Sequence, residues 1–310
     1  MIGINNNCPA CNNSSYRTVL SVCHDILHRF PGTWSVVECS HCQLAYTAPR
    51  STKEDIARYY PSEYAPYNLG AGVRHHIIGA FLRRMVMSPY WFIYGDPVWR
   101  ESPFGRSTLL EIGCGNGRLL QQMSKQGWKC IGIDISPVAV ERTRENVPEV
   151  SVFQSTLADF STQQSFDMII MSQVLEHLPD PLESLQRCFK MLSPGGKLFI
   201  GIPNFGSAES RLFGKYWMGL DIPRHMVHFS EPVIVSLLKN CGFLVVNIRP
   251  AMFASSISES LIMLLPTWIR YRFLHSRAAR YLYFLTIFPA SLSYLLGNRG
   301  IIEIVAQRPE

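Results

Sequence analysis

Four cysteines open the chain in two pairs of equal spacing, Cys8-Pro9-Ala10-Cys11 and Cys39-Ser40-His41-Cys42. A C-x-x-C turn presents two thiolates on one side, and two such turns facing each other make a tetrahedral S4 site suited to zinc. With every position taken by a thiolate, the ion would be structural, stabilising a ribbon too small to bury a core of its own. The 27 residues between Cys11 and Cys39 exceed the roughly 15–20 of the common template, so a β-hairpin is expected to fill them. Cys23 and His24 lie between the pairs and could compete as ligands, although a loop or core role is the expected one.

A second constellation is Leu109-Leu110-Glu111-Ile112-Gly113-Cys114-Gly115-Asn116-Gly117. An apolar strand runs into Gly-x-Gly-x-Gly, with a helix expected from Arg118 to Gln126. Glycines let the backbone turn sharply and approach a ligand where a Cβ would clash. The spacing is not the Gly-x-Gly-x-x-Gly of a dinucleotide fingerprint, nor the Gly-Lys-Ser/Thr of a P-loop. A further strand from Lys129 to Ile133 leads into Asp134, about 20 residues beyond the glycines, where an acid commonly holds ribose hydroxyls. Two more sets are candidates for proton transfer. Glu176-His177 follow the fourth strand, where such sheets open into a crevice. His225 carries the side chain whose resting pKa suits proton transfer near neutrality.

The elements that must position these residues are legible from periodicity. From Ser107 to about Ile202, short apolar runs alternate with helical periods, which reads as βαβαβ and a parallel sheet. Leu175, Leu178, Leu182 and Leu185 are expected in the core, and Leu192-Ser193-Pro194-Gly195-Gly196 reads as a helix stop and turn. Residues 231–250 read as one more helix and strand, and Gly300 to Gln307 as a last strand. The stretch 204–230 reads as an aromatic loop. Its part Phe213 to Ser230 is long for a connection and suits a substrate wall. The expected organisation is a zinc ribbon over 1–50, a linker and amphipathic insert over 51–106, and an α/β domain over 107–310 with inserts at 204–230 and 251–297.

These motifs resemble the class I S-adenosylmethionine-dependent methyltransferases over roughly residues 107–250. They are Glu111 to Gly117, Asp134, Phe166-Asp167-Met168-Ile169-Ile170 through Val174-Leu175-Glu176-His177-Leu178-Pro179-Asp180-Pro181, and Leu192 to Gly196. The resemblance implies a Rossmann-like three-layer domain. The loop Gly113, Cys114, Gly115 to Gly117, with Glu111 before it, would hold the methionine end of the cofactor. Asp134 and Ile135 would take the ribose side, Thr156 and Leu157 the adenine, and Ser172 would complete the set. Relatives often carry Gly-Asp where Gln154-Ser155 stands here. Pro223 to Ser230 is also similar to a stretch of zinc-ribbon sugar C-methyltransferases, Tyr-His-Glu-His-x-x-Tyr-Phe-Ser, whose second His and preceding Glu act at the acceptor. His225 matches that His, while Arg224 replaces the Glu and His228 the Tyr. The large C-terminal domain of those enzymes is missing. The catalytic candidates are therefore His225, as general base, with His177 and Glu176.

Composition bears on location and partners. Charged residues make up 17% of the chain against about 25% in average soluble domains, which hints at surface facing something other than water. A net charge of +6 suits anionic lipid, nucleic acid or phosphorylated substrates without choosing among them. The start lacks a basic segment and an apolar core, so a cytoplasmic, reducing location is expected. Ala251 to Trp268 and Tyr281 to Leu296 are apolar but too short to span a bilayer, with Arg270, Arg272, Arg277 and Arg280 between them. Residues 73–94 repeat that pattern. Such segments fit peripheral contact with the inner face of a membrane, or a packed helical cap. The acceptor is expected to be small or lipid-linked, a polyprenol-linked sugar or quinone-like lipid, with S-adenosylmethionine and structural zinc as cofactors. A nucleic-acid methyltransferase is the first alternative. The amino-methylating members carry Asp/Asn-Pro-Pro-Tyr/Phe where Ser172-Gln173-Val174-Leu175 stands, and the basic residues here are interleaved with aliphatic runs. A non-catalytic cofactor-binding protein is the second alternative.

Overall fold

The computed structural model describes residues 6–27, 29–51, 55, 58–59, 107–251, 256–274, 282, 285–286 and 299–310. The amphipathic stretch 73–94, and most of 251–297 beyond residue 274, lie outside the described residues.

Strands β1 (Tyr16–Cys23), β2 (Trp34–Cys39) and β3 (Ala45–Ala48) pair antiparallel in order, so the hairpin expected between the cysteine pairs is present. The larger sheet holds β4 (Thr108–Ile112), β5 (Lys129–Asp134), β6 (Ser151–Gln154), β7 (Phe166–Ser172), β8 (Leu192–Pro203), β10 (Leu244–Pro250) and β11 (Ile301–Gln307). Its order is β10-β11-β8-β7-β4-β5-β6, with β4 to β8 parallel and β11 antiparallel to both neighbours.

Leu109 and Leu110 are neighbours on β4 and both are fully buried, which requires cover on both faces. Leu110, Ile112, Ile169 and Met171 pack on one side, with Leu185 and Cys188 of α3 (Pro181–Met191) and Ile234 and Leu238 of α5 (Glu231–Asn240). Leu109, Met168 and Ile170 pack on the other, with Leu120 and Met123 of α1 (Arg118–Lys125) and Val140 of α2 (Pro137–Asn146). The result is three layers, as the resemblance implies. Helix α2 starts where its chemistry dictates. Ser136 caps the Ala139 N–H at 3.3 Å, and Pro137 supplies a preset φ. Helix α3 ends at Met191 as expected, but no free turn follows. Leu192 already pairs with Phe166, and Ser193 to Gly196 form an irregularity within β8 before Lys197 pairs with Met168.

The chain runs from β4 outward to β5 and β6, then returns to lay β7 and β8 on the other side of β4. The carboxyl ends of β4 and β7 therefore flank the crevice where ligands bind in such sheets.

The stretch 204–230 is not the loop that its composition suggests. It holds α4 (Ala208–Phe213), two short 3₁₀ turns and a two-residue strand, β9 (Val227–His228). Strand β9 joins the ribbon sheet beside β3, not the large sheet. Phe213, Trp217, Leu220 and Ile222 share a buried cluster with Trp34 and Val36 of the ribbon. Aromatics that lacked a partner in the linear pattern find one about 180 residues away.

Within 251–297, α6 (Ser256–Met263) and α7 (Thr267–Leu274) are described. Arg270 is not a lipid-facing charge. It is buried, and its guanidinium nitrogens donate to the carbonyls of Met263 (2.7 Å), Leu265 (2.8 Å) and Ile26 (3.3 Å), while its Nε is left without a partner. This part of the insert is a cap that also touches the ribbon. Among the described residues no helix is long and apolar enough to cross a membrane.

Candidate active site

The three glycines after β4 have φ of +72° (Gly113), +56° (Gly115) and +77° (Gly117), a region that penalises side chains. They serve different ends. A Cβ on Gly113 would lie 2.6 Å from Val174 Cγ2, and one on Gly117 would lie 2.5 Å from Thr143 Cγ2. A Cβ on Gly115 would meet nothing within 4 Å. Two glycines permit packing, and the third faces open space that a ligand can fill.

Asp134, at the end of β5, braces this loop: Oδ2 accepts the Gly115 N–H at 2.9 Å and Oδ1 the Ser136 N–H at 2.9 Å. Burial raises its pKa, and those amides oppose the rise. Glu111 is buried with Oε2 unpartnered, and burial, then the charge of Asp134, pushes its carboxyl well above the ordinary range. A buried, unpartnered oxygen just before an open glycine cradle fits a ligand carrying a cationic amine, as S-adenosylmethionine does. Cys114 turns its thiol inward, where it would sit 3.1 Å from a Cβ on Gly132, so it offers the cradle only backbone. Ile135 is 42% exposed beside Asp134 and gives an apolar surface. The Thr156 hydroxyl donates to Asp159 (2.6 Å) and Leu157 is buried in the core, so both side chains are engaged in their own turn. Ser172 is exposed at the carboxyl end of β7. Phe153, exposed on β6 opposite Ile133, is an aromatic at the same sheet end that the motif pattern does not mark.

The three catalytic candidates come together although His177 and His225 are 48 positions apart. Glu176, His177 and His225 bring their ligand atoms within 4.8 Å of one another. The two imidazoles meet edge to face with ring centres 4.5 Å apart, and His225 Nε2 lies 4.0 Å from Glu176 Oε1. Each of the two imidazoles is oriented by backbone. His225 Nδ1 donates to Gly219 O (2.8 Å) and His177 Nδ1 to Arg224 O (3.0 Å), which leaves Nε2 as the acceptor nitrogen of His225. Both oxygens of Glu176 are buried without a hydrogen-bond partner. Burial raises this carboxyl to about 8, lowers His177 to about 3 with help from His225, and lowers His225 despite the opposing pull of Asp221. At neutral pH both imidazoles are thus uncharged.

A narrow cleft, closed to a molecule the size of water in this conformation, is lined by Glu176, Phe205, Trp217, Gly219, His225 and His228. The turn that carries Glu176 also carries Val174, which faces Gly113 of the glycine loop. Three supporting residues, Asp25, Thr47 and Asp221, escaped the sequence reading, and Arg224, noted there only as replacing the Glu, joins them. Arg224 is 1% exposed and forks onto Asp25 (2.8 and 2.9 Å), while its Nε bonds Asp221 (3.0 and 3.1 Å). Burial alone would raise Asp221, but Arg224 outweighs it and holds that carboxyl at about 2. Thr47 bonds both the His225 carbonyl and the His228 ring. The spacing of Asp221 and Arg224 is local, but no signal in the chain links Asp25 or Thr47 to them.

Within the ribbon, Cys8, Cys11, Cys39 and Cys42 form the second group that could hold a metal ion among the described residues. Cys8 and Cys42 sulfurs lie 3.4 Å apart and Cys11 and Cys39 sulfurs 3.5 Å, near the ~3.8 Å expected of thiolates sharing a tetrahedral zinc at 2.3 Å. Neither Cys23 nor His24 joins them. Cys23 is buried in the cluster with Trp34, and His24 bonds Gly32 O at 2.9 Å.

Residues 93–248, half of the chain, match a family described as a methyltransferase domain. Ubiquinone biosynthesis O-methyltransferase of Xanthomonas oryzae pv. oryzae (strain PXO99A) is 31% identical over 131 residues, covering 40% of this chain and 55% of that protein. The protein of the same description from Aliivibrio fischeri (strain ATCC 700601 / ES114) is 36% identical over 107 residues, covering 33% and 45%. The chain thus spans about half the length of these relatives. The N-methyltransferase NodS of Bradyrhizobium japonicum WM9, solved with S-adenosyl-L-homocysteine, is similar at a TM-score of 0.44 and 16% identity, covering 83% of this chain and 98% of that one. Glycine cradle, strand-terminal acid, strand order and family match agree: the chain belongs to the class I S-adenosylmethionine-dependent methyltransferases.

Proposed function

We propose that this protein methylates a hydroxyl of a small or lipid-linked acceptor, a quinone-like lipid being the class that its relatives' descriptions suggest, with His225 taking the hydroxyl proton. One observation carries the reading: a neutral, backbone-oriented imidazole lines a cleft with Glu176, Phe205 and Trp217, and the Glu176 turn sets Val174 against Gly113 of the cradle. The bound cofactor supplies a methyl group on a sulfonium, open to in-line displacement. Glu111, the Gly113–Gly117 backbone, Asp134 and Ile135 would hold it. As the acceptor oxygen forms its bond to carbon, its proton passes to His225 Nε2. The imidazolium so formed is met by the charge of Asp221, which Arg224 keeps ionised, while the Glu176 carboxyl lies 4.0 Å from Nε2. Phe205 and Trp217 offer aromatic walls for a planar ring.

The four cysteines would hold one structural zinc. Leu261, Leu264, Trp268 and Leu285 stand exposed on the described part of the cap and would rest on the cytoplasmic face of a membrane, the place from which a lipid-linked acceptor arrives.

The test is transfer of labelled methyl from S-adenosylmethionine to a panel of phenols and catechols. His225→Ala is expected to lower turnover about 10²–10⁴-fold, the usual contribution of a positioned base. S-adenosylhomocysteine affinity should stay unchanged. Full turnover in His225→Ala removes the reading.

The unpartnered Glu176 oxygens favour a second reading, a divalent cation on Glu176, His177 and His225 that would acidify the acceptor hydroxyl directly. Purified protein would then carry metal beyond that of the four cysteines, and Glu176→Gln would lose only that extra ion. Metal content equal in wild type and Glu176→Gln excludes it.

A further inference from the structure

Strand β9 belongs in sequence to the methyltransferase domain, yet it completes the ribbon sheet. Ala45 pairs with His228 and Tyr46 with Val227. Thr47, next along β3 and 2% exposed, makes three bonds to the same segment. Its hydroxyl donates to His225 O at 2.7 Å, its amide donates to Met226 O at 3.0 Å, and its oxygen lies 3.0 Å from His228 Nε2. A hydroxyl has one proton, and the His225 carbonyl can only accept it. His228 must therefore donate from Nε2, which fixes its tautomer. Asp25, on the ribbon hairpin, pins Arg224 through a two-point fork. From the opposite side, Met226 N–H donates to Glu176 O at 2.9 Å and His177 donates to Arg224 O at 3.0 Å. Residues 224–228 are thus clamped between the ribbon and the Glu176 turn.

We propose that the four-cysteine ribbon is a positioning element of the acceptor site, with Thr47 and Asp25 as its positioning residues, setting the orientation of His225 and the tautomer of His228 from outside the methyltransferase domain. This rests on the reading of His225 as the group that meets the acceptor. Thr47 lies five residues beyond Cys42, on the strand that leaves the second cysteine turn, so ordering of the four cysteines by metal is transmitted directly to it. The cofactor side has separate supports. Gly113 and Cys114 bond Ile133 O and Gly115 bonds Asp134, with no ribbon residue involved in these bonds. Loss of the clamp should therefore disturb the acceptor side alone.

The experiment uses the full chain, labelled with ¹⁵N-histidine, and reads imidazole tautomers by long-range ¹H–¹⁵N spectra alongside S-adenosylhomocysteine affinity by calorimetry. Thr47→Val and Asp25→Asn are compared with Thr47→Ser, which keeps the hydroxyl. Thr47→Val should release His228 from its Nε2-protonated form and shift the His225 signals. Asp25→Asn should shift His225, and Thr47→Ser should match wild type. Cofactor affinity should hold within about twofold in all three, as expected of independent sites. Chelation of the ribbon metal should reproduce the Thr47→Val spectrum. If the chelated chain unfolds, the Thr47 pair still decides. Unchanged imidazole signals in Thr47→Val, or cofactor affinity falling in step with them, overturns the proposal. Full turnover by His225→Ala would remove the base reading while leaving these spectra as they are.

Discussion

Gly115 and Gly117 have similar backbone conformations but different surroundings, and substitution should separate their roles. Both sit at positive φ, so a side chain on either costs roughly 1–2 kcal/mol of backbone strain. On Gly117 a side chain also strikes Thr143, whereas on Gly115 it enters empty space. Gly115→Val is expected to fold and to bind S-adenosylmethionine at least about tenfold more weakly, ~1.4 kcal/mol, because the valine occupies the ligand's place. Gly117→Val should instead lower the melting temperature by the clash, a larger loss than Gly115→Val shows. Calorimetry and thermal unfolding of the two variants check this. Equal affinities for Gly115→Val and wild type would exclude the cradle as the cofactor site. The motif was readable at this scale because a Gly-x-Gly-x-Gly turn is local chemistry. The partition of tasks among its glycines was not, since Val174 and Thr143 approach from other elements.

At the scale of elements, the segment carrying β9 buries polar groups at the junction of the two sheets, and their protonation ties its stability to pH. Burial, then His225, lowers His228 to about 3 from an unfolded value near 6.5. Above pH 6.5 neither folded nor unfolded chain protonates it. As pH falls from 6.5 to about 3, the unfolded chain gains a proton that the folded one refuses, and stability is lost. Glu176 acts in the opposite sense. With its folded value raised from 4.5 to about 8, its contribution is full below 4.5 and is lost progressively as pH rises to 8. From pH 7 to 5 the two effects oppose, so the His228 share is read as a difference between proteins. His228→Gln, whose amide can still donate to Thr47, should gain melting temperature relative to wild type as pH is lowered across that range. Parallel curves for the two proteins would show that His228 is not a neutral buried group. Sequence reading marked His225 and placed an aromatic wall around it. It took the wall for a loop because a two-residue strand leaves no periodic trace, and its partner β3 lies about 180 residues earlier.

For the whole molecule the open question is what the apolar cap faces. Trp268 is 73% exposed and Leu264 51%, beside a buried Arg270 that holds helix ends and ribbon together. Membrane affinity should therefore come from apolar burial more than from that arginine. Trp268→Ser with Leu264→Ser should weaken sedimentation with liposomes while folding is kept, whereas Arg270→Glu should destabilise the cap itself. The expected loss follows from about 25 cal/mol per Å² of apolar area withdrawn from the lipid. Wild-type protein that stays in the supernatant with anionic and neutral vesicles alike would make the cap an internal wall, and the acceptor a soluble metabolite.

What the sequence by itself determined is the part whose physics is local or periodic. Alternating apolar runs imply a parallel sheet, paired C-x-x-C turns imply a closed four-thiolate site, and strand, glycine turn and acid imply a nucleoside-bearing cofactor. Tertiary structure alone decided that ribbon and methyltransferase domain share a sheet. It alone set Asp25 against Arg224, and Thr47 between His225 and His228. Those contacts join residues 178 to 199 positions apart. They arise because buried charges and hydroxyls must find partners wherever the fold brings them, and no spacing in the linear chain records which partner that will be.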